Sequence, residues 1–258
     1  MAGAADAMAE THELSDKVAL ITGGALNIGR AISLSLASAG AAVAINTRNS
    51  REQADGLADQ IRKAGGKAEV CMADVADAAQ VRAMAQTVLE RFGKIDILVL
   101  NASIRKEVLF KDMSFEQWRE IMSISLDGSF HCIKACLPSM IEARSGSIVT
   151  LAGDNALLGA MRKAHSSTAK NGLVGLTRAL SRELAEYGIR VNCVSPGHIN
   201  TTRPAHRSAR ADPKGIIPLG RWGETHEIAA AVRFLCGPGG AFMTGQTLHV
   251  NGGQMIFA

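Results

Sequence analysis

The chain has a single tyrosine, Tyr187, and aromatic residues make up only 4% of its 258 positions. So sparse an aromatic set, with a net charge of only +4 spread along the chain, argues against a nucleic-acid groove built on stacking platforms. No apolar run approaches the ~20 residues that a membrane-spanning helix needs. The first residues, MAGAADAMAETHE (1–13), are alanine-rich and acidic, with no basic segment followed by an apolar block. They read as a flexible tail and not as a signal peptide. The cysteines (Cys71, Cys132, Cys136, Cys193 and Cys236) are odd in number and form no paired CxxC motif. Cys132 and Cys136 lie one helical turn apart, but no histidine or further cysteine stands beside them at ligand spacing. Reduced, buried thiols in a cytoplasmic protein are expected, and no metal site. Neither a composition break nor a repeat of solenoid length divides the chain, so residues 14–258 are expected to form one domain.

What is present is apolar residue, 47% of the chain, in short runs that alternate with helix-length segments. The spacing predicts strands at 17–24, 41–47, 67–75, 95–103, 146–153, 189–197 and 246–253. Between them lie helices at 28–40, 50–66, 77–92, 114–143, 162–187 and 224–236. Continuous apolar strands alternating with amphipathic helices mean a parallel sheet covered on both faces. The expected fold is a Rossmann-type, doubly wound α/β/α sandwich around a seven-stranded parallel sheet.

The segment TGGALNIGR (22–30) joins the first strand to the first helix. At such a junction backbone N–H groups and the helix N-terminus can hold a pyrophosphate, and Gly23 and Gly29 let backbone and ligand approach closely. Further motifs follow in order: Asp74-Val75, Asn101-Ala102-Ser103, Pro196-Gly197 through Thr201, Thr244-Gly245-Gln246 and Gly252-Gly253. Together they make the chain from about Lys17 onward resemble a short-chain dehydrogenase/reductase. Its glycine loop is similar to the family's TGxxxGxG, with Asn27 in place of the middle glycine. Its NAG element has serine for the glycine. The resemblance implies a nicotinamide dinucleotide held by Gly23, Asn27, Ile28, Gly29, Arg48, Asp74, Val75, Asn101, Ala102, Lys170, Pro196, Gly197, Ile199 and Thr201. The second strand ends in INTRNS, with no carboxylate for a ribose 2′-hydroxyl, while Arg48 can pair with a 2′-phosphate; NADP(H) is therefore expected over NAD(H). The resemblance also implies a homo-oligomer, dimer or tetramer, in which helices 114–143 and 162–187 pair through small residues such as Ala164, Thr168, Gly172 and Gly175.

In the family, the chemistry rests on a tyrosine, a lysine four residues later, a serine after the fifth strand and an asparagine on the long helix. Aligned on HSSTAK (165–170), the lysine is Lys170, but Ser166 stands in the tyrosine place. Gly153 stands where the serine belongs and Ser125 where the asparagine does. Tyr187 cannot substitute, because it lies ~30 Å farther along the helix axis than Ser166. An aliphatic hydroxyl is a far weaker acid than a phenol and reaches ~4 Å less far, a gap one water can bridge.

The candidate catalytic residues are Ser166, Lys170, His198 and Asp154. Ser166 and Lys170, at i and i+4, also suit a serine–lysine nucleophilic pair, although a serine there equally suits a helix cap. His198 is the best alternative acid, since an ordinary imidazole titrates near pH 6.5. A basic rim (Arg105, Lys106, Arg162, Lys163, Arg203, His206, Arg207 and Arg210) suits an anionic small-molecule substrate. Three readings stay open. One is an oxidoreductase of altered mechanism. Another is a non-redox enzyme of lyase, isomerase or hydrolase type. The last is a catalytically silent nucleotide-binding protein.

Overall fold

A computed structural model describes residues 12–202 and 212–256, and the expected rim residues Arg203, His206, Arg207 and Arg210 lie outside them. Seven strands run parallel in the order β3-β2-β1-β4-β5-β6-β7. They are β1 (Val18–Thr22), β2 (Ala42–Thr47), β3 (Ala68–Met72), β4 (Ile97–Leu100), β5 (Gly146–Leu151), β6 (Ile189–Pro196) and β7 (Thr247–Val250). The helices are α1 (Asn27–Ser38), α2 (Arg51–Lys63), α3 (Ala78–Phe92), α4 (Phe115–Met122), α5 (Gly128–Ala143), α6 (Asp154–Leu158), α7 (Ala164–Glu183) and α8 (Thr225–Cys236).

Strand pleating sends alternate residues to opposite faces. Ala19 and Ile21 of β1 join a core with Ile32 and Leu36 of α1, Leu57 of α2 and Val232 of α8. Val18 and Leu20 join the other core, with Val88 of α3 and Cys132, Cys136 and Met140 of α5. Every described residue of β1 is buried, so two helical layers cover the sheet as the apolar strands required. The strand order reverses between β1 and β4, and the crevice beyond the carboxyl ends there is where such sheets take ligands. Among the described residues, no helix is long and apolar enough to cross a membrane.

Three local features differ from the sequence expectation. The helix expected at 114–143 is interrupted at Ser123–Asp127 by one wide π turn, a device common at functional sites. Just beyond it, Gly128 packs so tightly on Val75 that a Cβ would sit 2.8 Å from its Cγ2. Glu13, placed by the sequence in the tail, forms a two-pronged ion pair with Arg233 (2.6 and 2.8 Å), and Leu14 is buried. Gly172, expected to face a second subunit, is turned to Leu126 of the same chain, at 3.1 Å from where its Cβ would be. The cysteines are buried and free, and burial raises the thiol of Cys132 to about 12.

Candidate functional site

The ends of β1, β4, β5 and β6 border a cleft of about 730 Å³, and it collects most of the residues singled out from the sequence. One lip is the glycine loop. Gly23 adopts φ +60°, and a Cβ on Gly29 would lie 2.0 Å from the Gly23 carbonyl oxygen, so neither position accepts a side chain. Asn27 also takes a left-handed backbone (φ 49°), which asparagine tolerates better than most residues. Helix α1 starts there, and its N-cap residue, Leu26, contributes no side-chain bond to the first-turn amides. Those amides and the helix dipole face the cleft, which suits an anion.

Two buried polar side chains that the sequence reading passed over, Thr22 and Asn46, hold this lip rigid together with Asn101. Thr22 Oγ1 donates to the Val99 carbonyl (3.2 Å) and accepts from the N–H groups of Asn101 (3.0 Å) and Ala102 (3.1 Å). The Asn101 side-chain amide donates to the carbonyls of Thr22 and Gly23, which seats the end of β4 against the loop. Asn46 accepts from the Gly23 N–H (3.3 Å) and donates to the carbonyls of Cys71 (3.2 Å) and Ala73 (3.1 Å). An asparagine inside an otherwise apolar strand was the available signal, because a buried amide needs partners. Arg48 and Asp74 do not line the cleft; they pair with each other at 3.3 Å, half-exposed, beside its β2–β3 end. Val75 is buried against Gly128.

The other lip is the segment after β6. Gly197 passes so close to Asn251 that a Cβ would stand 2.7 Å from its Cα. Ile199 bridges to Gly223, and Ile199, Thr201 and Thr202 border the cleft. His198 lies at the same edge. Its Nδ1 is 2.6 Å from Gln254 Oε1, and its ring meets Trp222 edge-on at 4.8 Å.

Ser166, Ser125, Gly153 and Lys170 meet on the floor. Ser166 is inside α7, whose N-cap is Lys163, so it is not the cap the sequence allowed. Its N–H donates to Nδ1 of the buried His165 (2.8 Å), whose own pKa burial lowers. Tyr187 lies on the short turn after α7, packed against the α3/α5 core and away from the cleft. Lys170 Nζ donates to the Leu151 carbonyl. Burial, against an opposing effect of Cys193 and helped by Arg105, lowers its pKa from an ordinary 10.5 to about 8. The ammonium form is disfavoured in the folded chain, so the folded state binds fewer protons than the unfolded one between these values. Through this group, stability therefore rises as pH climbs from about 8 to 10.5.

Asp154 borders the cleft next to Gly153 but is 2% exposed. One oxygen accepts from Ser195 Oγ (2.7 Å) and His249 Nδ1 (3.0 Å), and the other from Asn251 Nδ2 (2.5 Å). It therefore cross-links the ends of β5, β6 and β7. The rim is mixed in charge. Lys106 pairs with Glu120, and Lys163 lies 3.5 Å from Glu107. Arg162 is exposed and does not line the cleft; its carbonyl accepts from the Val108 N–H at 2.9 Å, tying two rim loops together.

The family profile described as Enoyl-(Acyl carrier protein) reductase matches residues 23–255. The chain belongs to the short-chain dehydrogenase/reductase family. It is 37% identical over 245 residues to a Synechocystis 3-oxoacyl-[acyl-carrier-protein] reductase, covering 95% of this chain and 99% of that one. To the Escherichia coli 3-oxoacyl-[acyl-carrier-protein] reductase FabG it is 39% identical over 242 residues, covering 93% and 98%. Among solved structures, a gluconate 5-dehydrogenase from Burkholderia cenocepacia in complex with NADP and tartrate superposes with a TM-score of 0.88. That pair is 34% identical over 95% of this chain and 97% of the other. The cleft described above fits the dinucleotide such reductases use: it has a bare helix N-terminus, a glycine lip closed to side chains and a lysine on its floor.

Proposed function

We propose that this short-chain dehydrogenase/reductase is an NADP(H)-linked oxidoreductase in which a bridging water, and not a tyrosine, delivers the proton. The observation that carries the reading is the composition of one cleft. The nucleotide lip and Lys170 converge there with Ser166 and Gly153, the residues that the sequence resemblance aligns with the family's tyrosine and serine. The dinucleotide, when bound, supplies the hydride. The first-turn amides of α1 would hold its diphosphate, and Lys170 a ribose. Arg48, shared with Asp74, would meet a 2′-phosphate. Asn101 and Thr22 keep the lip in shape. Ser166 positions the water beside the substrate oxygen, and Lys170 keeps that water acidic. His198, engaged by Gln254 and Trp222 at the cleft's edge, ranks behind the water. Asp154 serves as an internal strut and not as an acid or base.

The relatives' names suggest a 3-oxoacyl thioester as the first substrate to try, and Arg105 and the Lys106 and Lys163 pairs offer contacts for an anionic group on it. We further assign the protein to the cytoplasm, as a homo-oligomer.

Turnover of a 3-oxoacyl thioester at saturating NADPH tests the reading. S166A is expected to stay within a few-fold of the parent, because water can occupy the vacated hydroxyl position. K170A is expected to weaken NADPH binding by ~1.5–3 kcal/mol for each charged hydrogen bond lost. If S166A abolishes turnover while NADPH affinity is unchanged, Ser166 is itself chemical, and the serine–lysine alternative replaces this proposal.

A further inference from the structure

We infer that Asn27 is a latch that spans the cleft, tying the nucleotide lip to the segment after β6 and offering a ligand further hydrogen-bond donors. Its Oδ1 accepts from the backbone N–H of Thr202 at 2.8 Å, a contact between residues 175 apart in sequence. Both residues border the cleft. A glycine here would keep the left-handed backbone (φ 49°) but could not reach across, so the side chain makes the link. Thr202 is exposed, and without Asn27 its N–H would face water. The glycine loop is fixed by Thr22, Asn46 and Asn101, and the far lip by the Ile199–Gly223 bridge and by the Asn200 N–H donating to the Gly223 carbonyl at 2.7 Å.

The geometry gives the amide two uses. With Oδ1 held by Thr202, the two Nδ2 hydrogens have no acceptor among the described residues, and they belong to the first residue of α1, whose N-cap side chain makes no bond. An anionic group resting on that helix end would take them up. The same side chain would then hold the ligand and the far lip together, so that release of the ligand requires the latch to open. This extends the proposed cofactor reading by a regulation of the same cleft, while the latch itself is measurable without any cofactor.

The test compares the parent with N27G, which removes the side chain without backbone strain, and N27D, which keeps an acceptor for Thr202. Residue-resolved amide exchange on the ligand-free proteins comes first. The Thr202 amide is expected to exchange about tenfold faster in N27G than in the parent, the worth of one hydrogen bond, and to stay protected in N27D. Equal exchange in parent and N27G overturns the latch. Stopped-flow displacement of NADPH comes second. Dissociation is expected about tenfold faster from N27G, and binding weaker to N27D, whose carboxylate repels the diphosphate. Unchanged dissociation from N27G, with the exchange difference present, overturns the coupling to release. If the parent shows the exchange difference from N27G yet binds no NADPH, the latch stands and the proposed cofactor falls.

Discussion

The double variant S166Y/G153S is expected to raise the turnover of a 3-oxoacyl thioester by ~10²–10⁴ over the parent. A phenol at position 166 would project from α7 into the cleft four residues before Lys170, whose ammonium lowers the pKa of a nearby phenol. The second substitution is sterically open. The backbone of Gly153 is extended, and a Cβ there would find only the Pro196 carbonyl oxygen, at 3.9 Å. A serine hydroxyl at that point adds a donor for the developing oxyanion. NADPH affinity should move little, because neither position belongs to the nucleotide lip. Kinetics of the parent, both single variants and the double variant decide the matter. A double variant no faster than the parent would mean that proton delivery is not what limits this cleft.

The largest loss of stability is expected from D154A. Removing this carboxylate leaves Ser195 Oγ, His249 Nδ1 and Asn251 Nδ2 without their acceptor in a site that is 2% exposed. Breaking a buried charged network by deleting one partner costs about 3–5 kcal/mol. For a chain of this size that corresponds to roughly 6–20 °C in Tm. D154N should fall between the parent and D154A, because its carbonyl still accepts while its N–H group meets a donor. Thermal denaturation measures the order. A D154A Tm within a degree or two of the parent would show that the three donors find water or other partners, and would reopen Asp154 as a chemical group.

The fold was legible because period and burial agree. Apolar runs such as KVALITGG become fully buried strands, and the glycine loop sits where strand and helix patterns meet. Lys170, Ser166, Gly153, Ser125 and His198 fall in one cleft because each sits at or near a strand end or on a helix facing the strand ends. What stayed hidden depends on contacts between distant residues. Nothing local marks Asp154 as a strut, because its partners Ser195, His249 and Asn251 lie 41, 95 and 97 residues away. The π turn at Ser123–Asp127 leaves the apolar spacing of the surrounding helices nearly intact, so the pattern read as one helix. The packing of Glu13 on Arg233 was obscured by an acidic, alanine-rich context. Gly172 looked like an intersubunit contact because small residues permit close approach to any neighbour, and the neighbour is Leu126.

In the proposed function the nucleotide half of the cleft works as in the family and the chemical half differs. Calorimetric titration of the purified protein with NADPH and with NADH tests it most directly. The expected result is saturable binding of both, with NADPH tighter by roughly tenfold, the worth of about one charge-assisted hydrogen bond from a half-exposed Arg48 that Asp74 also holds. Affinity for NADPH should also decline as pH rises above about 8, where Lys170 loses its charge in the ligand-free protein, and K170R should remove that decline. Equal affinities for the two dinucleotides would contradict the role of Arg48, and the absence of binding by either would contradict the proposed cofactor and function.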